Sequence, residues 1–496
     1  MTRLSTSTLS SIASEVSIPE YDRGAVVPGI LHIGVGHFHR AHQAMFLERL
    51  HRAGLGREWG VFGVSMRPDA PVASFAEQDH LYTLTEKHPD GRKVTSVIGA
   101  IVGFASATDG STEVLDRLAA PSTRIVTLTI TEGGYCVDPA TGAFDGARST
   151  AVSHDLADPG AAQSWLGLLL AGFARRAATE AGPITVLSCD NIQDNGRATA
   201  TAVRSFAAQV APELLGWIDA NVTFPSSMVD RVVPGTSDAD RRFLGDAYDL
   251  DDAWAVTSEP FAQWTIEDHF ANGRPAFEEV GVDVVPDVAP YERMKLRLAN
   301  GIHQGLCFFG RLLDHEYVHD AIADPDIRAL LLRYIDEEAV PSLDAIPGVD
   351  FGAWGREVLV RFGNPQLRDP IERISAETSD RIPTFLLPVV VDRIRAGGSV
   401  TVSAAIVASW ARYATGVDEH GDPIRVVDPR AAEIQAAAAA DALRAGAFLD
   451  LDVFAGIRDS DAFAVAYREA RRALDESGAR ATLRSLAAAP AKTGVS

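Results

Sequence analysis

A carboxylate, an amine, an amide and an imidazole lie within one short stretch of this chain, residues 290–303, PYERMKLRLANGIH. Helical periodicity would turn them to one side. At about 100° per residue, with Lys295 at zero, Glu292 falls at roughly 60°, His303 at roughly 80° and Asn300 at roughly 140°. A Lys turned toward hydrogen-bonding side chains can do acid and base work, because burial destabilises the ammonium and moves its pKa toward neutrality. Met294 and Leu298 fall on the opposite side as packing residues. The same spacing also suits a solvated face carrying an i, i+3 ion pair between Glu292 and Lys295, and the stretch alone favours that plainer reading, which the rest of the chain overturns.

The elements that must position these groups follow from the rest of the chain. Pro290 suits a first helical turn, since its missing N–H would have no partner there and its φ is already helical. Residues 26–35 read as a buried strand that runs into GVGHFHRAHQAMFLERLHRAG, helical from about residue 41 to residue 53. Gly34 and Gly36 form a G-x-G turn that would let backbone approach a pyrophosphate, with Phe38 in the same turn and His39 where a third glycine usually stands. A simple tight turn would use the same glycines. A second strand over residues 59–66 leads to Asp69, an acid placed to accept from the adenosine ribose hydroxyls and so to favour NAD; Arg67 beside it could instead meet a 2′-phosphate.

Residues 82–86 and 93–104 read as strands around the turn HPDGR, an antiparallel excursion from the sheet. Residues 124–130 form a β-branched strand that runs into TEGGY. Thr129, Thr131, Glu132 and Gly133 then fall at a strand's carboxyl end, where ligands of open α/β sheets sit, although a plain glycine turn after a strand fits the same residues equally well. Another short strand, residues 184–188, leads into CDNIQDNG. Asn191 is placed either to donate to a substrate oxygen or to cap a helix.

From Pro286 onward strand-like alternation gives way to helical periodicity, as in residues 326–338, 379–395, 402–413 and 431–445. The fold class expected is α/β: a Rossmann-type doubly wound sheet domain over residues 1–285, then a mainly α-helical domain over residues 286–496. A cleft between two such domains is the expected site.

Bulk properties exclude several function classes. The chain has 496 residues, 46% hydrophobic and 23% charged, enough for two or three folded domains. A net charge of −22 argues against a nucleic-acid partner, which needs a basic surface. Three separated cysteines fit a reducing compartment. With no secretory h-region and no apolar run of membrane-spanning length, a cytoplasmic location is expected.

Taken together, GVGHFHRAHQ (34–43), TITEGGY (129–135), SCDNIQDNG (188–196), FPSSMVDRVVP (224–234), EPFAQWTIEDHF (259–270), PYERMKLRLANGIH (290–303) and ERISAETSDRIPTFLLP (372–388) resemble the polyol-specific long-chain dehydrogenases. That family includes mannitol 2-dehydrogenase, D-arabinitol dehydrogenase and the fructuronate and tagaturonate reductases. The blocks run in family order across nearly the whole chain. The resemblance implies an NAD-linked, metal-independent secondary-alcohol dehydrogenase, a monomer acting on a polyol or ketose. It implies Lys295 as general base, Asn191 and Asn300 as the donor pair for the developing alkoxide, and His303 and Arg373 as residues holding the polyol. Glu292 would pass protons between Lys295 and water, and Asp230 would help to place Lys295. D-Mannitol oxidised to D-fructose is the reaction expected, with another polyol or a hexuronate as the alternative.

Two signals compete. His315, Glu316 and His319 spell H-E-x-x-H, the pattern of zinc hydrolases, with Glu337 or Glu338 downstream as a third ligand. His37, His39 and His42 invite a metal reading as well, although hydrogen-bonded histidines in a nucleotide turn explain them more simply. A catalytically silent NAD-binding sensor is a third class, separated from an enzyme by whether there is turnover to lose.

Overall fold

The computed structural model describes residues 1–67, 71–107, 112–138 and 141–488. Within these, the chain divides into two compact units, Met1–Ala289 and Pro290–Ser496.

The first unit is built on six parallel strands: β1 (Pro28–Ile33), β2 (Gly60–Ser65), β3 (Ile101–Ser106), β4 (Ile125–Leu128), β5 (Ile184–Ser188) and β6 (Val222–Thr223). They lie in the order β3-β2-β1-β4-β5-β6. Every residue of β4 and β5 is buried, so these strands carry near-continuous apolar and Thr runs in place of alternation. Successive residues of β1 serve opposite faces. Leu31 and Ile33 join a core with Leu169 and Phe173, while Ile30 joins another with Phe46 and Trp264. Strand order reverses between β1 and β4, which opens a crevice beyond their carboxyl ends.

The stretch 93–104 differs from the single strand expected. Lys93–Ile98 pairs antiparallel with Tyr82–Lys87, whereas the chain turns at Gly99 and continues as β3 at the edge of the parallel sheet. The turn is held from outside. Arg23 Nε donates to Gly99 O at 3.0 Å, and Gly99 N–H donates to the Glu48 carboxylate at 2.8 Å. Alternating hydrophobicity carries no record of that break.

Helices α1 (His37–Ala41) and α2 (Gln43–Arg52) follow β1, joined at a kink where His42 has φ −123° and ψ −86°. Later come α3 (Trp165–Thr179) and α4 (Asn195–Val210).

The second unit is helical. Its first helix is α5 (Ala289–Lys295), continued without a break by a π turn, Leu296–Asn300, and by α6 (Gly301–Leu312). Two further π turns occur among the described residues, Tyr334–Ala339 and Ile382–Leu386, and both pack against the first. The expected helices at 326–338 and 379–395 are therefore each interrupted, the former after Pro325–Arg333 and the latter before Leu387–Arg395. No helix among the described residues is long and apolar enough to cross a membrane.

Candidate active site

The glycine turn after β1 lies at the crevice. Gly34 has φ +100°, and a Cβ there would stand 2.1 Å from the carbonyl oxygen of Thr129 at the end of β4. Only glycine satisfies both the dihedral and the space. Gly36 differs, since a Cβ on it would meet nothing nearer than 3.8 Å, so the exposed backbone leading into α1 is open to a ligand. Thr129 Oγ1 donates to Gly34 O at 2.6 Å, which ties the two strand ends together.

The imidazoles around this turn are structural. His32 bridges Thr127 at 2.8 Å and Thr129 at 3.0 Å, and burial pushes its pKa down to about 3, so it stays neutral. His39 lies flat on His32 with ring centroids 3.4 Å apart. The His42 ring stacks on Phe38, and its Nε2 is 2.9 Å from Gln263 O. Among the described residues no group of three His, Cys, Asp or Glu side chains is placed to hold a metal ion. Asp69 lies outside the described residues.

Beyond β4 the loop is pinned by a residue that sequence patterning does not single out, Asp190. Its carboxylate accepts from Ile130 N–H at 2.9 Å, Thr131 N–H at 3.0 Å and the Tyr135 hydroxyl at 2.6 Å. Burial raises its pKa above the ordinary carboxylate value, and these three donors oppose the rise. They also hold Thr131 at φ +67°, a left-handed backbone unusual for a β-branched residue. Asn191 follows directly and is exposed. It is no helix cap, because α4 opens four residues later. The buried amide is Asn195, which donates to Asp190 O at 3.1 Å and Ser227 O at 2.7 Å and accepts from Ser227 N–H at 2.9 Å. It ties the end of β5 to the strand Ser227–Asp230. Asp230 itself is buried at the end of that strand.

In the second unit, Lys295 is 6% exposed and Glu292 8%, which rules out the solvated face. The π turn revises the angular positions expected from a regular helix. Gly301 N–H donates to Leu296 O, five residues back, and also reaches Leu298 O, and the five-residue bond brings one extra residue into the turn. Residues beyond it are set back by about 100°, placing Asn300 about 40° from Lys295 and His303 about 20° to its other side. In that register the amide and the imidazole fall on the same side of the helix as the amine. Asn300 and Gly301, poor helix formers side by side, are the one local signal of this turn.

His303 stacks on Phe362, and its Nε2 is buried with no hydrogen-bond partner among the described residues. Burial, with Arg373, Lys295, Arg381 and Arg361 adding positive charge, holds its pKa well below 6.5. A neutral ring with a spare nitrogen can bond a hydroxyl. Arg373 projects from the short helix Ile371–Ile374 and is engaged by Asp369, through Nε at 2.7 Å and Nη2 at 2.5 Å. This fork leaves further N–H donors for a ligand while offsetting the charge.

The H-E-x-x-H stretch lacks the helix that would bring two imidazoles to one metal. His315 and Glu316 lie in non-helical backbone, and His319 lies in a separate helix, Val318–Ala323. His315 Nε2 meets Asp324 at 3.2 Å, and His319 Nε2 meets Asp320 at 3.4 Å. Glu337 forks onto Arg333, and Glu338 is buried on the backbone of Val402 and Ser403.

Comparison with known proteins accounts for both units. Residues 28–279 match the Mannitol dehydrogenase Rossmann domain, and residues 287–475 match the Mannitol dehydrogenase C-terminal domain. A mannitol 2-dehydrogenase of Pyrenophora tritici-repentis is 40% identical over 443 residues, 88% of this chain and 78% of that protein. One from Pyricularia oryzae is 37% identical over 494 residues, 97% and 98% respectively. Among solved structures, Pseudomonas fluorescens mannitol 2-dehydrogenase in ternary complex with NAD and D-mannitol superimposes with a TM-score of 0.88 at 39% identity, covering 99% of this chain and 100% of that one. A substrate-free D-sorbitol dehydrogenase gives 0.89 at 34% identity, covering 97% and 100%. With both units matched in order, and with relatives this similar over most of its length, the chain belongs to the mannitol dehydrogenase family.

Proposed function

We propose that this protein is an NAD-dependent polyol dehydrogenase that interconverts D-mannitol and D-fructose, D-mannitol + NAD⁺ ⇌ D-fructose + NADH + H⁺. The observation that supports this reading is the π turn at Leu296–Asn300, whose register would set a buried amine, an amide and a neutral imidazole on one stripe of one helix. The ternary complex of the Pseudomonas fluorescens relative supplies the cofactor and the polyol.

Residues 1–285 hold the dinucleotide, and residues 286–496 supply the acid and base groups. The backbone at Gly34 and Gly36 meets the pyrophosphate, with Phe38, Thr129, Thr131 and Asn191 as further contacts and Asp69 on the ribose hydroxyls. Bound NAD supplies the carbon that accepts hydride. Lys295, in its neutral form, takes the hydroxyl proton of the reacting carbon. Asn191 and Asn300 donate to that oxygen as negative charge grows on it, and neutral amides do so without adding a second cation beside Lys295. Glu292 then passes the proton from Lys295 to water, and Asp230 orients the amine. His303 and Arg373 bond hydroxyls farther along the chain.

The Asp369 fork favours a neutral polyol over a hexuronate, because the Arg373 charge that a carboxylate would need is already offset. The D-sorbitol dehydrogenase match supports a second hexitol reading. Oxidation of either hexitol at carbon 2 yields the same ketose, so the two are separated only in the oxidative direction. A panel of D-mannitol, D-sorbitol and D-arabinitol with NAD and NADP, and of D-fructose, D-fructuronate, D-tagaturonate and D-xylulose with NADH and NADPH, tests the proposal. D-Mannitol and D-fructose with the non-phosphorylated cofactor should give the highest kcat/KM. Preference for D-fructuronate, or for NADPH, would refute the substrate or the role of Asp69 respectively.

A further inference from the structure

In an α-helix the Gly301 N–H would donate to the carbonyl of Arg297, four residues back. Here it is shared between Leu296 O and Leu298 O, which leaves the Arg297 carbonyl without its helical donor inside a buried segment. A buried carbonyl left bare costs about 1–3 kcal/mol, so the π register needs a replacement donor. Tyr334 provides one. Its hydroxyl donates to Arg297 O at 2.8 Å from a fully buried side chain at the start of the second π turn.

The space for that hydroxyl depends on the helix itself. A Cβ on Gly301 would stand 2.3 Å from Tyr334 Oη, and φ of Gly301 is an ordinary −62°, so backbone conformation does not demand glycine here. The residue is small because the phenol occupies the place a methyl would take. Burial raises the Tyr334 pKa well beyond the ordinary phenol value, which keeps the hydroxyl protonated as a donor.

We infer that Tyr334 is a positioning residue for the reaction, its hydroxyl replacing the helical donor of Arg297 and thereby holding the π register that brings Asn300 and His303 alongside Lys295. Tyr334 is fully buried against this helix and acts through it. This rests on the polyol dehydrogenase reading for its kinetic consequence but not for its structural one. Without the phenol, the Arg297 carbonyl regains its own N–H by returning the extra residue, and the amide and imidazole rotate away from the amine.

The test is Tyr334→Phe, which removes a single oxygen, assayed as full-length enzyme. A crystal structure of the variant should show Gly301 N–H back on Arg297 O. The kcat for D-mannitol should fall roughly 10–100-fold, as expected of an ångström-scale misplacement. The pH of half-maximal kcat should move while the Kd for NADH stays unchanged. Gly301→Ala, which displaces the hydroxyl with a methyl, should show the same losses, and the double variant should be no worse than either single one, since both act through one contact. A Tyr334→Phe structure that keeps the π turn, or an unaltered pH profile, or strictly additive losses would overturn the inference. If the unmodified enzyme oxidises no polyol, the functional reading fails, and the crystal structure of the variant still decides the role of Tyr334.

Discussion

The imidazole of His303 lies flat against the phenyl ring of Phe362, with centroids 3.8 Å apart and planes 5° from parallel. Phe362 ends the helix Phe351–Phe362, so the residue that faces a polyol in the proposed reaction is held by a hydrophobic side chain from another element. The stack fixes the ring plane and leaves Nε2 pointing away from any protein partner among the described residues.

Phe362→Leu keeps the site apolar but removes the stack, worth about 0.5–1.5 kcal/mol. The KM for D-mannitol should rise several-fold with little change in NADH affinity, measured by steady-state kinetics and fluorescence titration. Because the His303 pKa lies well below 6.5, its ring should stay neutral and leave polyol affinity flat from pH 7 down to about 6. A drop in affinity centred near pH 6.5 would show that the ring titrates normally.

Lys295→Met should remove general-base catalysis, a loss on the order of 10²–10⁴ in kcat, while the Kd for NADH is retained. A variant with most of its turnover intact would dismiss Lys295 as the base. Turnover absent from the unmodified protein would instead favour an NAD-binding sensor.

Asp369 offsets the charge of Arg373, and Asp369→Asn should release it. The ratio of kcat/KM for D-fructuronate to that for D-fructose should rise about 10-fold, the worth of one charge-assisted hydrogen bond. An unchanged ratio would show that Arg373 does not govern substrate charge.

Glu338 is fully buried in the second π turn, and burial pushes its pKa up to about 7. A carboxyl whose folded pKa exceeds its unfolded value near 4.5 binds more protons when folded, so its contribution to stability is greatest at low pH and is lost as pH rises toward about 7. Glu338→Gln should flatten this part of the thermal stability curve between about pH 4.5 and pH 7. Parallel curves for the two proteins would mean that Glu338 is ionised throughout.

Much of the first unit was legible because its signals are local. Apolar and β-branched runs mark β1, β2, β4 and β5, and a glycine turn at Gly34 and Gly36 follows β1 before the chain enters a helix. The break at Gly99 was not legible, since Arg23 and Glu48 hold it from other parts of the chain. Nor was the role of Asp190, whose partners lie about sixty residues away on the loop after β4.

The sequence by itself determined that a carboxylate, an amine, an amide and an imidazole would share one helix after a parallel α/β unit, because periodicity and turn chemistry act over a few residues. Only the tertiary structure decided how those groups face one another. A helix interior can run in the α or the π register with the same residues, and the choice rests on which distant group satisfies the displaced carbonyl. Here that group is the Tyr334 hydroxyl, 37 residues from Arg297 in the chain, in the pocket that Gly301 leaves open.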